Sequence, residues 1–429
     1  MPMKRFLSAV AAAALLSGSA LAQADDPVRI GVLNDRSGIY ADLSGEGSVI
    51  AARMAVEDFD AASKGLNVEI VAADHQNKPD IASNIAREWI DQQGVDVIVD
   101  VPTSSAALAV NEVVREKNKI FLNSGAASSD LTGAKCSPNT VHWTYDTVAL
   151  ANGTGQAMVE RGGDTWFFVT ADYAFGHALE RDTTAVVEKS GGQVLGSVRH
   201  PFPGQDFSSY LLQAQASGAK VIGLANAGGD TINSIKQAAE FGITQGGQSL
   251  AGLLIFITDV NALGLDTAQG LVLTEAFYWD LNDQTREWSR RFAERNNGNM
   301  PTMVQAGVYA SILHYLKALE AAGTQDAAAV MAKMKEMPSD DPLFGQGTVR
   351  QDGRHVHDMY LFQVKTPDQA QGPWDYYELL ATIPGDQAFR PLEEGGCPFV
   401  QASAGAPAAE GAAAQPAAPA AGGGAAQPQ

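Results

Sequence analysis

Apolar and polar positions along the chain fall into two alternating rhythms. Short, β-branched apolar runs read as buried strands, and each is followed by a longer stretch with apolar residues at helical spacing. Val28-Arg-Ile-Gly-Val-Leu, Val68-Glu-Ile-Val-Ala-Ala, Asp96-Val-Ile-Val-Asp-Val and Lys119-Ile-Phe-Leu-Asn123 are the first four strand candidates. Helices are expected around Ser48 to Ala61, from Pro79-Asp80 to near Gln93-Gly94, and from Thr103-Ser104-Ser105 through Ala-Ala-Leu-Ala-Val-Asn-Glu-Val-Val. Spacers of this length imply parallel crossovers and a doubly wound sheet.

After Val141-His-Trp143-Thr-Tyr145-Asp the rhythm starts again. Trp166 to Thr170, Gly192 to Val198, Val221 to Asn226 and Leu253 to Asp259 read as strands, with helices ending at Lys189, spanning Phe207 to Ala216, and following the loop Ala227-Gly-Gly-Asp230. The fold class is therefore α/β, with two doubly wound lobes. From Glu275-Ala-Phe277-Tyr278-Trp279 the chain enters two helices, Gln284 to Asn296 and Thr302 to Ala322, which are expected to return to the first lobe. A later strand from Asp358 onward belongs with the second. The expected division is 27–147 with 276–348 for lobe 1, and 148–275 with 349–400 for lobe 2.

The two ends of the chain do not fit this rhythm. Lys4 and Arg5, an apolar core from Phe6 to Leu16, and Ala20-Leu21-Ala22 before Gln23 form a secretory signal expected to span 1–22. The residue directly after that point is Gln23 and not a cysteine, so a lipid anchor is not indicated. No later apolar run reaches the roughly 18 residues of a membrane span. Residues 403–429 are almost wholly Ala, Gly, Pro and Gln, a composition that buries no core and is expected to be disordered and dispensable for binding.

Composition narrows the function. The 429 residues suit two or three domains at about 150 residues each. A formal charge of −20 argues against nucleic acid and acidic membranes as partners, because a phosphate backbone would repel it. Only two cysteines are present, Cys136 and Cys397, both in loop-like sequence. In an oxidising compartment two such cysteines are expected to pair.

Candidate chemistry gathers at the strand ends. Asp96-Val-Ile-Val-Asp-Val-Pro-Thr103-Ser104-Ser105 and Lys119-Ile-Phe-Leu-Asn123-Ser124-Gly125 bring hydroxyls and free amide N–H groups to the carboxyl edge of the sheet, where open α/β folds bind ligands. A helix N-terminus there favours an anion such as a carboxylate, although Thr103 and Ser104 would also serve as simple caps. Asp35, Asp172 and Asp259 stand at strand ends too, and for each alone a cap is the simpler role. Gly-x-Ser-x-Gly, Walker and Gly-x-Gly-x-x-Gly motifs are absent, and Gly45-Glu-Gly47 lacks the third glycine of the dinucleotide fingerprint. His355-Val-His357 is the one pair with metal-ligand spacing, and no Cys or His cluster supports it. No catalytic set, metal or cofactor is expected.

These features in this order resemble the type I periplasmic solute-binding proteins of the branched-chain (hydrophobic) amino-acid ABC transporters. The resemblance covers roughly Val28 to Val364 and rests on Ile30-Gly-Val-Leu with Ser37-Gly38, Thr103-Ser104-Ser105, Asn123-Ser-Gly-Ala-Ala with Leu131-Thr132, and Asp172-Tyr-Ala-Phe-Gly176. It implies two lobes joined by a three-strand hinge that close over a small solute, a periplasmic location, and delivery to an inner-membrane ABC permease by a monomer. It places a carboxylate clamp on Thr103, Ser104 and the backbone at Gly125 and Ala127, and an ammonium cage on Phe175 and Asp259. Many amino-acid binders carry a threonine at the position of Ala127 and a tyrosine at that of Phe175, so clamp and cage each lose a hydroxyl here. Tyr40, Tyr145, Tyr173, Asn226, Tyr278 and Trp279 are further candidate contacts, the aromatic ones suiting a flat or apolar ligand body. The expected function is capture of a small carboxylate-bearing solute, either an amino acid or an aromatic or aliphatic acid. A small amide or urea-type ligand, or a sensing role toward a membrane receptor, is the alternative.

Overall fold

A computed structural model describes residues 27–400. The leader read at 1–22 and the tail read at 403–429 lie outside the described residues. The first lobe opens with β1 (Val28–Asn34), α1 (Gly45–Phe59), β2 (Val68–Asp74), α2 (Pro79–Gln93), β3 (Val97–Asp100), α3 (Ser104–Glu116), β4 (Ile120–Asn123) and β5 (Thr140–His142). Its strands run parallel in the order β2-β1-β3-β4-β5. The order reverses beside β1, so the crevice outside the ends of β1 and β3 is where such a sheet receives a ligand. β3 and β4 are buried at every position, which is why their sequences run apolar instead of alternating.

The second lobe follows through α4 (Thr147–Leu150), a π turn at Ala151–Gly155 and α5 (Gln156–Glu160). Then come β6 (Thr165–Ala171), α6 (Ala174–Lys189), β7 (Gln193–His200), α7 (Ser208–Ala216), β8 (Val221–Ala225), α8 (Gly229–Glu240) and β9 (Ser249–Gly252). These strands are parallel in the order β7-β6-β8-β9, the same winding with one strand fewer. The strand expected over Leu253 to Asp259 is not one. β9 ends at Gly252, Leu253 to Phe256 form a buried loop, and α9 (Ile257–Leu263) begins where the strand was expected to end. An apolar run that is buried on all sides satisfies a loop as well as a strand. The side chain of Asp259 settles the matter locally by accepting the Phe256 amide at 2.9 Å, a helix-start contact.

Past the short α10 (Leu265–Ala268), β10 (Val272–Glu275) leads to α11 (Asp283–Arg295), α12 (Met303–Ala322) and α13 (Ala327–Glu336). α12 lies against α1 in the first lobe, and Arg291 of α11 reaches Asp58 at 2.6 Å. Thr302-Met-Val-Gln305 is a capping box: Thr302 Oγ1 accepts the Gln305 amide and Gln305 Oε1 accepts the Thr302 amide. The same two side chains donate to the carbonyls of Leu43 and Ser44, so the start of α12 fixes the loop after β1.

Short β11 (Ser339–Asp341), β12 (Gly345–Val349) and β13 (His355–Val356) form an antiparallel patch, and Arg354 bridges His142 at the edge of the first sheet. β14 (Met359–Val364) and β15 (Tyr377–Ile383) then pair with β10 in the second lobe, followed by α14 (Gly385–Ala388). The chain passes between the lobes after β5, after β10 and after β13, and these three connections form the hinge. His355 and His357 belong to it: His355 stacks on Trp143 at 3.8 Å, and His357 Nε2 lies 2.8 Å from the Thr144 carbonyl. Burial holds both imidazoles below the ordinary histidine range, His357 at about 4, so the pair packs as neutral rings. No cluster of metal-binding side chains occurs among the described residues.

The C-terminal segment makes a fourth passage. It reaches the first lobe, where Arg390 donates to the Ser129 carbonyl at 2.5 Å and Cys397 is bonded to Cys136. The disulfide joins residues 261 apart in sequence. Among the described residues no helix is long and apolar enough to cross a membrane.

Candidate functional site

Between the lobes lies a nearly closed cavity of about 10 Å³, walled by Tyr40, Leu43, Pro102, Gly125, Ala127 and Tyr145 on one side and by Tyr173, Phe175, Ala227, Leu254 and Phe256 on the other. Each wall comes from loops that leave the carboxyl ends of strands, as the winding of the two sheets requires. The lobes meet directly over it, with the hydroxyls of Tyr40 and Tyr173 2.6 Å apart. Phe202 stacks on Tyr173 at 4.1 Å and touches Tyr40, so three rings close one end. Burial raises the pKa of both tyrosines far above the ordinary phenol, leaving them neutral donors.

The polar part of the wall is backbone. β4 ends in Asn123, whose side chain binds Ala126 in both directions, and this turns the chain so that the segment from Gly125 to Ala127 borders the cavity. Gly125 is required there, because a Cβ would lie 2.6 Å from Pro102 Cα. Among the described residues, the amide nitrogens of Gly125 and Ala127 have no protein acceptor. On the neighbouring strand Asp100 and Val101 have φ of 80° and 53°, both in the left-handed region. For a β-branched valine this is a strained conformation, and such strain collects where a loop must present a ligand site. It delivers Pro102 to the cavity and Thr103 to the start of α3.

Of the residues expected from sequence, Tyr40, Gly125, Ala127, Tyr145, Tyr173 and Phe175 converge on the cavity. Thr103, Ser104, Asn226, Asp259 and Tyr278 do not line it. The Thr103 hydroxyl donates to Asn77 Oδ1, and Ser104 Oγ accepts the Ser128 amide at 3.2 Å. Asn226 is held by Ser234, Thr231 and His200 inside lobe 2. The Tyr278 hydroxyl donates to the Trp374 carbonyl at 3.2 Å, and Trp279 Nε1 shares that acceptor. Asp259 is spent on its helix start, and burial pushes its carboxyl up to about 7, away from the charged form. Asp35, similarly, caps its own loop through the amides of Gly38 and Tyr40.

Leu43, Pro102, Ala227, Leu254 and Phe256 were not anticipated. Leu254 and Phe256 fell inside the apolar run read as a strand, and an apolar wall residue carries no sequence signal that separates it from core. What the arrangement can do is enclose a compact, largely apolar solute and offer amide donors to an acceptor on it. No nucleophile–base pair and no acid faces the cavity.

Comparison with known proteins agrees with this geometry. The family model for periplasmic binding proteins matches residues 27–372. A Leu/Ile/Val-binding protein homolog from Brucella melitensis is 26% identical over 373 residues, spanning 84% of this chain and 93% of the relative. A periplasmic binding protein from Burkholderia mallei superposes with a TM-score of 0.85 at 52% identity, covering 87% of this chain and 99% of that one. A branched-chain amino-acid ABC transporter periplasmic ligand-binding protein from Burkholderia xenovorans gives a TM-score of 0.78 at 42% identity, with the same coverage. Two lobes of parallel sheet, a hinge of three connections and an interlobe cavity accompany these matches, and the chain belongs to the type I periplasmic solute-binding proteins of the branched-chain amino-acid ABC transporter family.

Proposed function

We propose that this protein captures a small carboxylate-bearing solute with an apolar or aromatic body between its lobes and delivers it to an inner-membrane ABC permease. The observation that carries the reading is the cavity itself, whose wall is aliphatic and aromatic except for the amide-bearing segment from Gly125 to Ala127. With the lobes together the free space is only about 10 Å³, so the solute is admitted by their separation and by movement of the wall side chains. The unpaired amides of Gly125 and Ala127, with α3 beginning next to them, form the carboxylate subsite. Charge-assisted bonds of this kind contribute roughly 1.5–3 kcal/mol each. Ser104 supports this subsite by holding the Ser128 amide, and Thr103 supports it through Asn77. Tyr40, Tyr145, Tyr173 and Phe175 enclose the body of the solute.

Within this class the wall favours an acid without an ammonium group, since the one acid expected to pair with it, Asp259, is capping a helix and is drawn toward its neutral form. The second reading is a hydrophobic amino acid, favoured by the Leu/Ile/Val-binding and branched-chain relatives. A thermal-shift screen of aromatic acids, branched aliphatic acids, hydrophobic amino acids and small amides separates them. A ligand of the closed form raises apparent stability by RT ln(1 + [L]/Kd), about 2.7 kcal/mol at a hundredfold excess over Kd. Carboxylic acids stabilising where their amides do not is the expected result. Stabilisation by amides alone would remove the carboxylate from the reading.

A further inference from the structure

A second bridge joins the lobes away from the cavity. Asp182, on α6 of lobe 2, accepts the Ser129 hydroxyl at 2.6 Å and the Thr147 hydroxyl at 2.5 Å. Ser129 sits in lobe 1 just past the segment from Gly125 to Ala127, and Thr147 is the first residue after the first hinge connection. Thr147 is itself a relay, because its Oγ1 also accepts the Ser129 amide at 3.2 Å while its own amide donates to the Ala127 carbonyl at 2.9 Å. Arg181 reinforces the junction from the solvent side: it donates to Asp182 Oδ1 at 2.9 Å and to Ser129 Oγ at 2.8 Å, and pairs with Asp130 at 3.1 Å. From below, Arg390 holds the Ser129 carbonyl, and the disulfide-tied C-terminal segment keeps Arg390 in place.

We propose that Asp182 is a positioning residue for solute capture: with Ser129 and Thr147 it forms a clasp that holds the lobes together and fixes the amide-bearing segment from Gly125 to Ala127 without touching the solute. The inference rests on the proposed reading that the solute is held between the lobes. Two features distinguish the clasp from an ordinary surface ion pair. Ser129 and Thr147 are fully buried and the Asp182 side chain is only 11% exposed, so its bonds are shielded from water. Ser129 and Asp182 come from opposite lobes, so their bond exists only while the lobes are together and its free energy adds to closure alone, while Thr147, at the start of the second lobe, orients the Asp182 carboxylate. Because the clasp biases the closed form and not any feature of the solute, it scales the affinity for every ligand by one factor. Cavity residues, by contrast, change the rank order of ligands.

The test uses the mature protein, calorimetric titration and stopped-flow release with all solutes that the screen identifies. Asp182→Ala is expected to weaken each by about tenfold, through faster release, with their order unchanged. Ser129→Ala combined with Asp182→Ala is expected to cost little more than Asp182→Ala alone, the non-additivity that marks one shared interaction. Unchanged affinity in Asp182→Ala, or a factor that differs between solutes, overturns the clasp while leaving solute capture intact. Should no solute bind the wild type, it is the proposed function that fails. The clasp is then judged from interlobe distances between paired spin labels in the ligand-free proteins. Asp182→Lys is expected to lengthen them, and identical distributions overturn the proposal.

Discussion

Tyr173 shows how one side chain joins the chemistry of the cavity to the movement of the lobes. Its ring is part of the wall, and its hydroxyl meets Tyr40 of the other lobe. Tyr173→Phe keeps the ring and removes that bond, worth about 0.5–1.5 kcal/mol. Affinity measured by calorimetry is expected to fall about threefold to tenfold, with the fold intact. Thr103 behaves in the opposite way. Its position before α3 marks it in the sequence as a clamp hydroxyl, but that hydroxyl is engaged with Asn77, which in turn donates to Asp35. Thr103→Val is therefore expected to lower the unfolding midpoint while changing affinity less than Tyr173→Phe does. A loss of affinity beyond tenfold, with an unchanged midpoint, would return Thr103 to the ligand. Residue type and spacing placed both side chains near the strand ends, and only the directions in which they point separate their roles.

At the scale of elements, the strand–loop–helix order of each lobe was legible because buried parallel strands leave apolar runs and helices leave a longer period. Leu253 to Phe256 was misread for the same reason, since burial alone makes a run apolar. The pairing of Cys136 with Cys397, expected to tie the C-terminal segment to the first lobe, is present. By closing so long a loop the disulfide restricts the unfolded chain, an effect of about 2–5 kcal/mol. Cys136→Ser with Cys397→Ser is expected to lower the unfolding free energy by that amount, moving the denaturant midpoint down, with a steeper slope because the uncrosslinked unfolded chain exposes more surface. An unchanged midpoint would mean that Arg390 and its neighbours hold this segment unaided.

For the whole molecule, net charge and burial combine into a pH response. Burial pushes Asp100 and Asp341 up to about 6, Asp230 and Asp259 up to about 7, and Glu275 well above its ordinary range. Each keeps its proton in the folded state at a pH where the unfolded chain has lost it. These groups make the native form bind more protons, so their contribution declines as pH rises through about 4 to 7, by up to about 1.4 kcal/mol per pH unit for each. The buried histidines held below their ordinary range, among them His75, His142, His355 and His357, contribute the opposite slope below about pH 6.5. Thermal unfolding from about pH 6.5 to 8, above the range in which the histidines of the unfolded chain titrate, is expected to show the midpoint falling with pH. Asp259→Asn keeps an acceptor for the Phe256 amide and removes one titrating group, so its profile should be flatter. A parallel profile would show that Asp259 does not carry its share.

By itself the sequence determined the α/β class, the repetition of the winding in two lobes, the disulfide partners and the loops that border the cleft. All of these follow from periodicity, composition and order along the chain, which local physics reads directly. The tertiary structure alone decided that Tyr173 faces Tyr40, that Asp259 turns to its own helix, that Leu254 and Phe256 wall the cavity and that Asp182 reaches Ser129. Those choices depend on the angle at which two lobes meet and on which neighbour satisfies each buried polar atom, and both are set by contacts between residues far apart in the chain.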